Sequence, residues 1–223
     1  MTQTKISDHI STPPFETKEL RAYLVQFLDS EFETEGITQK IGNFKWGVYA
    51  FFDYDGEPIY VGQTNEMVRT RIRRHLTNQR TDAVAMSVLD PFEVHDISVW
   101  PLPQFQQTDR SDATAKMHLN ALERCVYNDL IEKSSFSAIL NEQSPPEPKV
   151  EIAVPPHYRG SIVSKEVFKL RSHPDVRIAR RSLIISRLAQ VIAERQVQIG
   201  LRRVLLVQAR RLQWLADRRL PSI

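Results

Sequence analysis

Cys125 is the only cysteine in the chain of 223 residues, so no intrachain disulfide and no cysteine-rich metal site can form. A reducing compartment is the expectation. No apolar run approaches the roughly 18 residues that a membrane-spanning helix needs. The start, MTQTKISDHISTPPF, lacks the basic-then-apolar order of a secretion signal. A soluble, cytoplasmic protein without a membrane partner is therefore expected. Internal repeats, zinc-finger spacings and a helix-turn-helix pattern are also missing. The last third is short of acid. Residues 157–223 hold 15 Lys/Arg against 4 Asp/Glu, whereas residues 1–156 hold 15 against 23. The formal charge of +3 thus divides into −8 and +11, and all but two of the late cations are arginine. Such a split points to a nucleic-acid partner for the basic part. A solvated helix rich in good helix formers would produce the same count.

What is present is patterned. Hydrophobic residues make up 41% of the chain, enough for a core, and the length suits one domain with a smaller one or with long extensions. After a polar arm ending at Pro13-Pro14, Leu20, Leu24, Phe27 and Leu28 fall at helical spacing between Glu16 and Asp29. Gly36 and Gly42 read as a loop. In KWGVYAFFDYDGEPIYVGQT, residues 45–64, two alternating apolar runs flank Asp55-Gly56, a strong hairpin signal. Trp46, Val48, Ala50 and Phe52 fall on one side of the first run, and Gly47, Tyr49 and Phe51 on the other. Asn65 can cap the basic helix that follows to Gln79, in which Ile72 and Leu76 stripe a surface flanked by Arg69, Arg71, Arg73 and Arg74. A short helix is expected at Asp82 to Leu89, a third strand over Phe92 to Leu102, and a helix over Ala113 to Lys133. Residues 142–158 contain five prolines and read as a linker. Beyond it the spacing predicts helices from about Arg177 to Arg219, broken near Gly200 into a hairpin.

The order strand, turn, strand, basic helix, strand, helix, Ile-Leu-Asn resembles the GIY-YIG nuclease family. Gly47-Val48-Tyr49 and Tyr60-Val61-Gly62 match its two tripeptides, with valine at both central positions. Arg71 and His75 in RIRRHL, Glu123 in LNALERC and Asn141 in ILNE match the family's later motif positions. The resemblance covers residues 45–142. The gap from Gly62 to Arg71 is one residue longer than in many members, and Arg69 and Arg73 stand nearby. The resemblance implies an α+β fold, a small domain with a central three-stranded antiparallel sheet flanked by helices. Around it the sequence puts an N-terminal arm and helix over residues 1–44, a Pro-rich linker over 143–158 and a basic all-helical region over 159–223.

Phosphodiester hydrolysis needs an aimed water, a Lewis acid for the developing charge and help for the departing oxygen. Glu123 offers one carboxylate for a hard cation, Mg²⁺ with Mn²⁺ as a substitute, completed by waters and phosphate. Arg71 and His75 are i and i+4, so they share a helix face as a phosphate fork and a proton carrier. The resemblance implies that Tyr49 activates the water and that Tyr60 hydrogen-bonds at the site. An unperturbed phenol has a pKa of about 10, which makes a poor base, and neighbouring cations are expected to depress it. His75 or a phosphate oxygen is the alternative acceptor. Asn141 is expected to bond the site's backbone or the substrate.

Arg69, Arg73, Arg74, Arg180 and Arg181 are the expected nucleic-acid contacts, with double-stranded DNA as the partner. The apolar run Val204–Val207 and Trp214 are expected to pack on a partner helix, in this chain or in a second subunit. The leading reading is a metal-dependent restriction or genome-defence endonuclease using one metal. A structure-specific or single-strand-specific repair nuclease and a catalytically silent nucleic-acid-binding protein are the alternatives.

Overall fold

A computed structural model describes residues 15–77 and 88–220. The polar arm over the first 14 residues and most of the helix expected at Asp82 to Leu89 lie outside the described residues. Helix α1, Phe15–Asp29, buries Leu20, Leu24, Phe27 and Leu28, the stripe its sequence shows. A hairpin of β1, Glu31–Thr34, and β2, Ile37–Lys40, follows where a loop was expected. Its turn residues Glu35 and Gly36 have φ of 49° and 75°. Two positive φ angles are what a tight two-residue hairpin turn demands. Gly36 is thus the centre of a turn between strands too short and polar to show an alternation.

The main sheet has four strands in the order β4-β3-β5-β6, all antiparallel. β3 is Gly47–Phe52, β4 is Pro58–Thr64 and β5 is Asp96–Pro101. β6, Tyr158–Ser161, comes from beyond the Pro-rich stretch. The expectation of three strands is therefore corrected; after β6 the C-terminal region is helical, as expected. Four residues behind two prolines carry no readable period, and what makes them a strand is the open edge of β5. The Asp55-Gly56 turn forms as expected, with Gly56 at φ 77°.

Both faces of the sheet are covered. Tyr49, Phe51, Ile97 and Val99 pack on α1 and on α2, Val68–Leu76. Trp46, Val48, Ala50, Phe52 and Trp100 pack on α3, Ala113–Lys133, through Leu119, Leu122 and Val126. Each such side chain contributes about 1.5–3 kcal/mol when fully buried. Helix α2 is shorter than expected and starts at Val68, after Met67, which gives no side-chain cap; Asn65 instead donates to Arg110 O, 3.4 Å away.

The remaining helices are α4, Lys165–Arg171, α5, Pro174–Glu194, and α6, Ile199–Arg219. Helices α5 and α6 lie against each other, and Leu188, Leu201, Val204 and Val207 join the same core as Tyr49 and Ile97. The partner of the apolar Val204–Val207 run is thus this chain's own core, while Trp214 meets Phe136 at 5.7 Å between ring centroids. The chain breaks between the helices at residues 195–198, and Gly200 has a different task. A Cβ there would lie 2.2 Å from the Glu142 carbonyl oxygen, so only glycine lets α6 rest on that backbone.

A buried ion cluster fastens α5 and α6 to the β3–β4 turn. One carboxylate oxygen of Asp53 accepts from Arg177 and Arg181, both at 2.9 Å, and from Arg211 at 2.6 Å. Its other oxygen accepts the Asp55 and Glu57 backbone N–H groups at 2.9 and 3.1 Å. Glu93 accepts two bonds from Arg181, and Asp55 pairs with Arg177. Burial works against the Asp53 charge, yet Arg211, Arg177 and Arg181 together hold its pKa below the ordinary aspartate value.

Candidate active site

Tyr49 stands directly opposite Gly62 in the β3–β4 pair. A Cβ on Gly62 would lie 2.6 Å from the Tyr49 hydroxyl oxygen and 2.9 Å from Tyr60 Cε1, so this glycine makes the space in which the Tyr49 ring lies across β4. Gly47 has the parallel reason in β5: its Cβ would lie 2.7 Å from Trp100 O. Tyr49 is fully buried. Its hydroxyl shares a 3.0 Å hydrogen bond with His75 Nε2 and accepts one from Arg71 Nε at 3.3 Å. Arg71 and His75 reach it together because they lie one turn apart on α2, whose Val68, Ile72 and Leu76 anchor the helix in the core. The Tyr60 ring completes the group, with centroids 6.3 Å from Tyr49 and 5.5 Å from His75.

The phenol does not have the depressed pKa expected of it. Burial raises it well above the ordinary tyrosine value, the neighbouring Tyr60 adds to that, and Arg71 pulls it down too weakly to win. Tyr49 is therefore a protonated hydroxyl near neutrality.

Glu123 comes from α3, on the other side of β4. Burial pushes its carboxyl up to about 7, against the charge of Arg71 and a hydrogen bond from the Gln63 side chain. Gln63 also donates to Asn120 Oδ1 at 3.0 Å, one helical turn before Glu123. An open cleft of about 340 Å³ is lined by Gln63, Asn65, Glu66, Arg71, Lys116 and Asn120. Gln63, Lys116 and Asn120 were not expected from the sequence. Their signal was available: Gln63 follows Tyr-Val-Gly directly, and Lys116 and Asn120 lie four residues apart on the helix of Glu123.

Asn141 is close to the site but turned to structure. Its amide donates to Val61 O at 2.8 Å and accepts from Val61 N at 3.0 Å. It therefore acts as a strand neighbour for the outer edge of β4, helped by Leu140 N donating to Ile59 O at 2.8 Å.

Residues 45–101 match the family model of the GIY-YIG catalytic domain. The match spans β3, β4, α2 and β5, and so Tyr49, Tyr60, Arg71 and His75. A GIY-YIG domain is a nuclease domain, with DNA as the substrate class and a general dependence on divalent metal. No curated protein and no solved structure matches the chain. Glu123 and Asn141 lie beyond the matched residues and are brought to them by α3 and by the segment after it.

The arginines expected to touch nucleic acid separate sharply. Arg181 is buried in the Asp53–Glu93 cluster and also donates to Arg211 O at 3.0 Å. Arg180 forks Asp90 with bonds of 2.8 and 2.9 Å and lies over Phe92. Arg69 ties α2 to Asp29 at 3.1 Å and to Asn43 at 3.0 Å. These three hold the fold, and a phosphate would have to displace a carboxylate to reach them. Arg74 is exposed and pairs with Glu66, a residue of the cleft. Arg73 is partly exposed and forms no ion pair among the described residues.

Among the described residues no three His, Cys, Asp or Glu come together to hold a metal. The donors at the cleft fit a hard cation nonetheless. Glu123 is a half-buried carboxylate whose charge is poorly compensated, and Asn120 Oδ1, one turn earlier on the same helix, is a neutral oxygen that accepts from Gln63 Nε2. One carboxylate with neutral oxygens suits an ion such as Mg²⁺ that keeps several waters.

Proposed function

We propose that this protein is a metal-dependent DNA endonuclease that hydrolyses phosphodiester bonds in the cleft beside Glu123, with one cation, in restriction or genome defence. The observation that carries this is the wiring of a buried phenol to both an imidazole and a guanidinium, the guanidinium lining a cleft and acting on the half-buried carboxylate of Glu123. Arg71 covers the Tyr49 hydroxyl from the cleft side. When its guanidinium forks the scissile phosphate, the hydroxyl is uncovered to the attacking water. As the water oxygen bonds to phosphorus, its proton passes to the Tyr49 oxygen and the phenol's own proton passes to His75 Nε2. The phosphorus bond to the departing oxygen then breaks, and that oxygen takes a proton from solvent. Mg²⁺ at Glu123, or Mn²⁺ in its place, would supply Lewis-acid neutralisation of the phosphate charge. Tyr49 in this scheme is a relay, which suits a raised pKa, and His75 is the base. Tyr60 packs on both rings and fixes their orientation.

The test is incubation with plasmid and phage DNA and Mg²⁺, followed by sequencing of the ends. Discrete ends at one motif, lost in Glu123→Ala, support restriction. Scattered ends, or cutting confined to branched or single-stranded substrates, would place the protein among repair nucleases instead. DNA bound but never cut with any divalent ion would leave a silent binding protein.

A further inference from the structure

The arginines of the last third fall into two groups. Arg159, Arg171, Arg177, Arg180, Arg181, Arg211, Arg218 and Arg219 all pair with carboxylates. Arg187, Arg195, Arg202, Arg203 and Arg210 are exposed, and none of these five forms an ion pair among the described residues. They occupy the second half of α5, the connecting turn and α6 as far as its middle. The only acid in residues 187–210 is Glu194.

The position of this face is fixed by contacts of α6 with β4. Gly200 rests on the Glu142 backbone, next to Asn141, which holds Val61 in the middle of β4. Eleven residues on, Arg211 Nη1 donates to Pro58 O at 3.2 Å, at the start of β4. Helix α6 therefore runs along the outer edge of the sheet, with its first turn towards the end of β4 that enters the cleft through Gln63 and Thr64. Arg203 and Arg210 are two turns apart on one face, about 10 Å along the axis.

We propose that these five arginines form a docking surface for the phosphate backbone of double-stranded DNA. The cations are spread over two helices and a turn and converge on no pocket, so the matching ligand is an extended polyanion rather than a small phosphate. The exposed position of each guanidinium allows phosphate contact without any loss of internal ion pairs, in contrast to Arg180 and Arg181. The proposal rests on the endonuclease reading in one respect: the polyanion is taken to be the duplex that the cleft cuts.

The test is the binding of a fluorescently labelled duplex, followed by anisotropy over a series of KCl concentrations, in EDTA so that no cutting occurs. The triple variant Arg202→Gln, Arg203→Gln, Arg210→Gln is compared with wild type and with the matching triple Lys variant. Expected for the Gln variant is at least about tenfold weaker binding, and a plot of log K against log salt shallower by about 3, since each phosphate contact contributes about 0.9 to that slope. The Lys variant retains the wild-type slope. Unchanged affinity and slope in a folded Gln variant overturn the proposal. So does a variant whose oligomeric state changes by light scattering while its DNA affinity does not, because the face would then join two copies of the chain. If the triple variant does not fold, each single substitution carries the test through its own slope change of about 0.9. The two readings fail separately. Binding that depends on these arginines in a protein that never cuts sinks the nuclease and keeps the surface. Normal cutting and binding in the Gln variant do the reverse.

Discussion

The phenol of Tyr49 sits between an imidazole and a guanidinium, and burial keeps it protonated. Tyr49→Phe removes the relay and leaves the shape. Expected is a fall in single-turnover cleavage on the order of 10²- to 10⁴-fold, the usual worth of a proton-transfer group. The accompanying loss of stability is expected to stay within about 1–3 kcal/mol, the cost of leaving the His75 partner unmet. A large unfolding without a specific rate effect would mean that the hydroxyl is structural. Glu123 gives a pH prediction. Its folded pKa is raised to about 7 by burial, so its protonated form favours the native state. Without metal, that stability is present below the ordinary glutamate range and is lost as pH rises towards and through about 7. Glu123→Gln, which cannot ionise, is expected to melt higher than wild type at pH above 7 in EDTA. It is also expected to lose the rise in Tm that Mn²⁺ gives wild type. Equal melting curves with and without Mn²⁺ in wild type would remove the metal from Glu123. Most of these residues were legible because Tyr49, Tyr60, Arg71, His75 and Glu123 belong to a fixed order along the chain. Gln63 and Lys116 could be placed near the motif residues along the chain, but only the fold shows that a strand end and a helix face share one cleft.

Among elements, the β3–β4 hairpin is held at its turn and along its outer strand by residues far later in the chain. At the turn, Asp53 takes three guanidinium bonds. In the middle, Asn141 closes the free edge of β4. Removing one partner of a buried pair leaves the others uncompensated, so Asp53→Asn is expected to cost about 3–5 kcal/mol in denaturant unfolding. The Asp53 pKa is depressed, so its contribution is present above the ordinary aspartate range and is lost as pH falls through the depressed value. Wild type should therefore lose more stability than Asp53→Asn on acidification below about pH 4. Gly200→Ala places a methyl group 2.2 Å from a backbone oxygen that cannot retreat alone. Overpacking of that kind costs about 1–3 kcal/mol, and because Glu142 adjoins the Asn141 clamp, cleavage is expected to fall as well. Gly200→Ala with wild-type melting and activity would show that α6 does not bear on β4.

For the whole molecule, the acidic first part and the basic last part are in large measure each other's counterions. Arg177, Arg181 and Arg211 neutralise Asp53, Asp55 and Glu93, whereas Arg187, Arg195, Arg202, Arg203 and Arg210 around the α5–α6 turn form no ion pair among the described residues. The helices also fill the core beneath β3 and β4 and come directly after β6 at the sheet edge. A chain ending at residue 157 is accordingly expected to lose cooperative unfolding in near-UV circular dichroism instead of behaving as a free nuclease domain. A truncated protein with a sharp melt and cleavage activity would show that the C-terminal helices are an accessory.

The sequence by itself determined the hairpin, the α1 and α3 helices and the order of the catalytic-type residues, because local period, turn chemistry and motif spacing are properties of neighbours along the chain. It also determined that one end of the molecule would be basic. Only the tertiary structure decided which arginines are spent inside and which remain outside, that Asn141 is a clamp, and that Tyr49 is a buried acid. Those outcomes depend on which distant carboxylate, backbone edge or apolar wall each side chain meets, and burial then sets the sign of every pKa shift.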